Sequence, residues 1–119
     1  MELLNMAAKW DRMERQLDAM LSNIKGISFS EYRMLRYLEE APSGSASRVE
    51  LAEALARTPS GITRALQPLE KLGFVETIRA ERDARKALAS LTDQGHQLVT
   101  DATGVVNDHA NDLLLTLRL

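Results

Sequence analysis

The sequence predicts a mainly helical fold with one small β-hairpin, and three observations carry that expectation. Apolar residues recur at spacings of three and four near both ends of the 119-residue chain, which is the period of an amphipathic helix. Helix start and stop residues punctuate the middle: Ser47 with Glu50 three residues on, Thr58 before Pro59, and Gly73. After Gly73 two apolar runs, 74–79 and 86–91, flank the charged stretch AERDAR, the layout of a hairpin. Aromatic residues make up only 4% of the chain while Leu and Ala dominate, which favours helix on helix over an extensive sheet.

The first helix is expected over 2–24. Leu3, Met6, Trp10, Met13, Leu17, Met20 and Ile24 form an unbroken stripe of alternating three- and four-residue steps, widened by Leu4, Ala7 and Leu21. Gly26 stops it. A stripe of this length at a chain end calls for a partner surface, so a contact between two copies of the chain is expected; a core role within one copy is the alternative. The second helix, 30–41, is capped by Ser28 or Ser30, with Ser28 and Glu31 at capping-box spacing. Tyr32, Leu35, Leu38 and Ala41 share one face, helped by Met34, and Pro42, Ser43 and Gly44 end the helix. Ser45 and Ala46 form a short strand or a loop.

Ser47 and Glu50 make a second capping box at the head of a short helix, 48–56, with Val49, Ala52, Leu55 and Ala56 turned inward. Arg57 begins a turn. Thr58 caps the next helix, 59–72, and Pro59 takes its first position, where a missing N–H costs nothing. Ile62, Ala65, Leu66, Leu69 and Leu72 point inward; Ser60, Gly61, Thr63, Arg64 and Gln67 point outward. Pro68 removes the bond to the Arg64 carbonyl and should bend or loosen the axis. Thr92 caps one long C-terminal helix, 93–117, on which Leu98, Ala102, Val105, Val106, Ala110, Leu113, Leu114 and Leu117 recur at helical spacing, with Gly104 as a candidate bend. The two terminal stripes match in length and character, so they are expected to pack together and across a two-fold axis.

A short helix, a tight turn, a second helix and then a charged hairpin make a winged helix-turn-helix. Charge agrees with its use on a polyanion. The net charge of −2 hides a basic centre: residues 57–86 carry seven Lys/Arg against four Asp/Glu, whereas 1–56 carry seven against nine and 87–119 one against four. The outward face of helix 59–72 is small and polar at its N-terminal half, as close approach to a major groove requires. The hairpin tip carries Arg79, Arg82, Arg85 and Lys86 against Glu81 and Asp83, suited to a minor groove or a phosphate run. Either surface taken alone is equally an ordinary solvated one.

Other function classes find little support. The chain has no cysteine, which removes disulfides and thiolate metal ligands. No run of about 18 apolar residues exists and the N-terminus lacks a signal-peptide layout, so a cytoplasmic protein is expected, at the nucleoid when bound to DNA. No nucleophile sits beside an evident base and no Gly-rich phosphate loop is present, so no enzyme and no cofactor are expected. His96 and His109 are thirteen residues apart, roughly opposite faces of one helix at about 100° per residue, and cannot share a metal within one chain.

The segments ELAEALARTPSGITRALQPLEKLGFVE, RDAR and LTDQG, in this order and spacing, resemble the MarR family of bacterial regulators, and the likeness runs from Leu3 to about Val106. The resemblance implies a homodimer of winged helix-turn-helix units joined by N- and C-terminal helices. It also implies binding to pseudo-palindromic operators, most often as a repressor released by a small molecule. Ser60, Thr63, Arg64 and Gln67 fall at DNA-facing positions of the recognition helix. Arg82, Asp83, Arg85 and Lys86 form the wing; Asp83 and Arg85 match an Asp-x-Arg pair whose arginine enters the minor groove while the aspartate holds it. Leu3, Met6, Trp10, Met13, Leu17, Leu98, Val106, Leu113 and Leu117 are the expected dimer contacts. Trp10, Met13, Met34, Tyr37 and Leu38 are candidates to line an effector pocket, or else serve as plain core. The chain departs from the family pattern at Thr77, where arginine is usual, at Pro68, and after Gly95, where only 24 residues remain and a further C-terminal helix is expected to be missing. An alternative from another class is a protein-interaction adaptor, or a partner that heterodimerises with a longer relative and binds little DNA itself.

Overall fold

A computed structural model of the chain describes residues 2–80 and 83–117, the side chains at 80, 83–86, 116 and 117 excepted. The order is α1 (Glu2–Lys25), α2 (Phe29–Glu40), a 3₁₀ turn (Pro42–Gly44), β1 (Ser45–Ser47), α3 (Arg48–Ala54), α4 (Pro59–Lys71), β2 (Val75–Ala80), β3 (Asp83–Leu91), α5 (Asp93–Asp108) and α6 (Ala110–Leu117). The expected fold class is the one observed: mainly helices, with a small three-stranded antiparallel sheet of order β1-β3-β2. The chain divides into two compact units, residues 1–30 with 100–119 and residues 31–99.

In the first unit, Gly26 ends α1 with φ +73, and its N–H reaches the carbonyls of Leu21 and Ser22 at 3.0 and 3.2 Å. Asp18 Oδ1 on α1 accepts the Phe29 N–H at 2.6 Å, so an aspartate eleven residues back helps satisfy the first turn of α2, beyond the expected serines. α1 packs against α6, where Met13, Leu17 and Leu113 close into a buried cluster with Met20, Phe29 and Val106 against it. Lys25 and Asp101 pair at 3.7 Å.

This arrangement corrects the expected single C-terminal helix. α5 ends at Asp108 and α6 begins at Ala110, so a further C-terminal helix is present after Gly95. The break lies at His109, and α5 runs through Gly104. The His109 ring Nδ1 lies 2.9 Å from the Val105 carbonyl, the acceptor its own backbone N–H would use in a regular helix. That N–H turns to Val106 O at 3.2 Å, a tighter i−3 bond.

In the second unit, Ala46, Val75, Ala89 and Leu91 bury one face of the sheet, and Leu51, Ile62, Leu66 and Leu69 are buried on α3 and α4. β1 pairs with β3 through Ser45↔Ser90, Ala46↔Ala89 and Ser47↔Leu88, and Ser45 Oγ donates to Ser90 Oγ at 3.0 Å. β2 and β3 run in register from Val75↔Leu91 to Arg79↔Ala87, then a bulge follows Arg79.

The phase of α3 differs from expectation. Leu51 and Ala52 are buried, while Val49 and Ala56 are exposed. α3 also stops at Ala54, in a Schellman closure: Ala56 N–H reaches Glu53 O at 3.3 Å and Arg57 N–H reaches Ala52 O at 2.8 Å. Ala56 takes the left-handed position of that motif, φ +54, where glycine is usual. α4 runs through Pro68 to Lys71 without interruption, and Leu72 just beyond it is exposed.

Candidate nucleic-acid interface

α4 is held at its N-terminus by local chemistry. Thr58 Oγ1 accepts the Gly61 N–H at 3.1 Å, and Pro59 fills the first helical position. A Cβ on Gly61 would come within 3.0 Å of Thr58 Oγ1, so glycine there keeps the cap uncrowded. On the inner face Ile62, Leu66 and Leu69 are fully buried. On the outer face Ser60, Thr63, Arg64 and Gln67 are exposed at i, i+3, i+4 and i+7, one stripe of hydroxyl, guanidinium and amide groups. The Thr63 hydroxyl donates to Pro59 O at 3.1 Å, leaving its oxygen lone pairs as acceptors. Arg57, Thr58, Gly61, Arg64 and Ala65 line an open depression of about 470 Å³ at the start of the helix. Two arginines and the positive end of a helix dipole therefore border one concavity, an arrangement suited to a phosphate.

The hairpin β2–β3 follows α4 directly. Of the wing residues singled out in the sequence, Arg82 lies outside the described residues, and so do the side chains of Asp83, Arg85 and Lys86; the backbone of the last three belongs to β3. The hairpin base is tied to α5 by the Leu-Thr-x-x-Gly segment. Thr92 Oγ1 donates to Gly73 O at 2.6 Å and accepts the Gly95 N–H at 3.1 Å, while Thr92 N–H donates to Phe74 O at 3.1 Å. Thr92 thus caps α5 and anchors the start of β2 at once.

Two residues that carried no signal in the sequence join the wing to α4. Arg48 Nη2 lies 3.3 Å from Glu70 Oε1 and 3.2 Å from Thr77 Oγ1, and Thr77 Oγ1 donates to the same Glu70 oxygen at 2.9 Å. Arg48 and Glu70 are 22 positions apart, beyond any local spacing rule.

The remaining expected residues fall in separate places. Met13, Leu17 and Leu113, expected between copies, are buried inside the single chain with Val106 against them, because α6 folds back onto α1. Little of their surface is left for a second copy. Leu3, Met6 and Trp10 are exposed, with Trp10 Nε1 donating to Glu14 at 2.9 Å; Leu98 is half-buried, and the Leu117 side chain lies outside the described residues. Of the candidate effector residues, Trp10 and Met13 belong to the first unit. Met34, Tyr37 and Leu38 belong to the second, where Met34 and Leu38 are fully buried and Tyr37 half-buried. Among the described residues no helix is long and apolar enough to cross a membrane.

A MarR family model matches residues 25–86, just over half of the chain. The chain belongs to the MarR family. The match takes in α2 through β2, the helix pair and the first wing strand. This MarR family chain is 37% identical over 70 residues to the HTH-type transcriptional regulator PrsX of Escherichia coli; the alignment covers 59% of this chain and 42% of PrsX, so it spans less than half of that regulator. Among solved structures it is similar to Sco3205, a MarR family transcriptional regulator from Streptomyces coelicolor in complex with DNA, with a TM-score of 0.86 and 27% identity over 95% of this chain and 70% of that one. It is also similar to a mutant MarR from Escherichia coli complexed with operator DNA, with a TM-score of 0.79 and 25% identity over 93% and 75% of the two chains.

Proposed function

We propose that this chain is a DNA-binding transcriptional regulator that acts as a homodimer on a pseudo-palindromic operator. The observation that carries the reading is the split of α4 into a buried face of Ile62, Leu66 and Leu69 and an exposed polar face of Ser60, Thr63, Arg64 and Gln67, next to a cation-bordered concavity and a hairpin. That helix enters the major groove, and the wing, through Arg82, Asp83, Arg85 and Lys86, reaches the neighbouring minor groove and backbone. Sco3205 and Escherichia coli MarR, both similar in fold, were each solved with DNA.

Homodimerisation draws support from the apolar groups left exposed on the terminal helices: Leu3, Leu4 and Met6 on α1, Leu114 and Leu115 on α6. A two-fold dimer sets its recognition helices on successive major grooves about 10 base pairs apart, or a multiple. A small-molecule effector releases the operator by favouring a dimer with a different separation; it must bind the two states unequally to do so.

The test is selection of duplexes from a randomised pool by the purified chain, followed by fluorescence anisotropy on the enriched duplex against its scrambled version across a salt series. The expected result is an enriched inverted repeat, preference over the scrambled duplex and a steep salt slope. No enrichment and no preference would overturn the reading and leave the protein-interaction adaptor in its place.

A further inference from the structure

Arg48 is the first residue of α3, and Glu70 lies in the last turn of α4. Both charges stand at the wrong end of their helix, since helix N-termini favour anions and C-termini favour cations. Neither is explained by its own helix. Each is offset by the other, with Nη2 3.3 Å from Oε1, and both touch the Thr77 hydroxyl of β2. Three groups from three elements therefore close a triangle around one carboxylate oxygen. The Arg48 and Glu70 side chains are only 23% and 33% exposed, so solvent screens the pair incompletely. Arg48 Nη1 is buried and lacks a hydrogen-bond partner among the described residues, so the guanidinium is held inward between α4 and β2.

We propose that Arg48, Glu70 and Thr77 form a brace that sets the angle between the recognition helix α4 and the wing strand β2, making Arg48 a positioning residue for DNA binding. The inference rests on the DNA-binding reading above. A duplex presents its major groove and adjacent minor groove at a fixed separation, so helix and wing engage together only if their relative placement is held to a fraction of an ångström. The bonds of the triangle run directly from α4 to β2, and Arg48 ties both to α3. Removing it leaves the single Thr77–Glu70 bond to hold that angle and so widens the range the wing can sample, while the buried side chains of Ile62, Leu66 and Leu69 still hold α4 in place.

The measurement is anisotropy on the pool-selected duplex across a salt series, with the unaltered chain, Arg48→Ala, and Arg48→Ala combined with Thr77→Arg, which returns a guanidinium to Glu70 from the strand side. Arg48→Ala is expected to weaken binding by about two- to thirtyfold, the span of coupling through a packed network. Its salt slope is expected to match the unaltered chain, and the double variant to recover most of the loss. A slope reduced by about one would mean that Arg48 itself contacts a phosphate, which would overturn the brace. Unchanged affinity, or no recovery in the double variant, would overturn it as well. Should Arg48→Ala lose its native circular dichroism, Thr77→Val takes its place: weaker binding at the same slope supports the brace, and unchanged affinity refutes it. If the unaltered chain selects no duplex, the DNA-binding reading fails and the positioning role falls with it; binding by the unaltered chain that Arg48→Ala leaves intact sinks the brace alone.

Discussion

Replacing Gly95 with alanine should destabilise the protein even though it puts a better helix former into α5. Propensity alone favours the change by about 1 kcal/mol. The surroundings oppose it. A Cβ at Gly95 would lie inside the contact distance of the Phe74 carbonyl oxygen, 2.6 Å from Leu91 Cδ1 and 3.1 Å from Leu91 Cγ. The Phe74 oxygen is backbone and is held by the Thr92 N–H at 3.1 Å, and Leu91 is buried, so neither moves aside cheaply. Overpacking of this kind costs about 1–3 kcal/mol, and displacing the carbonyl puts a further hydrogen bond worth about 1 kcal/mol at risk. The sum, less the propensity gain, is a net loss of about 1–3 kcal/mol. Gly104, farther along the same helix, is the control: a Cβ there meets nothing within 4 Å, so Gly104→Ala should gain about 0.5–1 kcal/mol. Urea unfolding followed by far-UV circular dichroism reads both. With a denaturant slope of roughly 1–3 kcal/mol per molar, the Gly95→Ala midpoint should fall by about 1 M and the Gly104→Ala midpoint should rise. Midpoints that move in the same direction, or a Gly95→Ala midpoint at or above the parent's, would refute the account of the Leu-Thr-x-x-Gly segment as a close backbone crossing.

Four other outcomes are expected. Ala56→Gly should stabilise the chain by about 0.5–1 kcal/mol in the same urea assay, because it relieves a left-handed Cβ in the Schellman closure of α3. Arg64→Ala should cost about 1–3 kcal/mol of operator binding and relax preference at one base pair if it pairs with a guanine edge, whereas Arg85→Ala should weaken all duplexes alike; anisotropy on a set of single-base-pair variants separates the two patterns. Leu113→Ala should lower folding stability by about 2–5 kcal/mol, since its side chain is enclosed within one chain. Leu3→Asp, at an exposed site in the first turn of α1, should leave folding intact and shift sedimentation from dimer toward monomer; an unchanged sedimentation profile would count against α1 as the dimer contact.

Much of the fold was legible because its punctuation is local. The capping box of Ser47 and Glu50, the Thr58 cap before Pro59 and the Thr92 cap of α5 all act within three residues, and each stands where it was expected. The candidate recognition face was legible for a similar reason: burying Ile62, Leu66 and Leu69 obliges Ser60, Thr63, Arg64 and Gln67 to face away. Where the pattern was short, periodicity misled. In the seven residues of α3 the expected inward face ran through Val49, Ala52, Leu55 and Ala56, but Leu51 is buried beside Ala52 and Val49 is exposed.

The sequence by itself determined where α3, α4 and α5 start and which helix offers a polar face, because those are interactions between near neighbours on one chain segment. The tertiary structure alone decided how the terminal stripes are used: α6 folds back onto α1 and encloses Met13, Leu17 and Leu113, while Leu3 and Met6 stay outside. It decided that three residues at Ser45–Ser47 become a strand, since β3 supplies their hydrogen bonds. It also brought Arg48 to Glu70 and Thr77 and Asp18 to Phe29. Attraction between groups so far apart along the chain arises only once folding has closed the loop between them, so no local pattern records it.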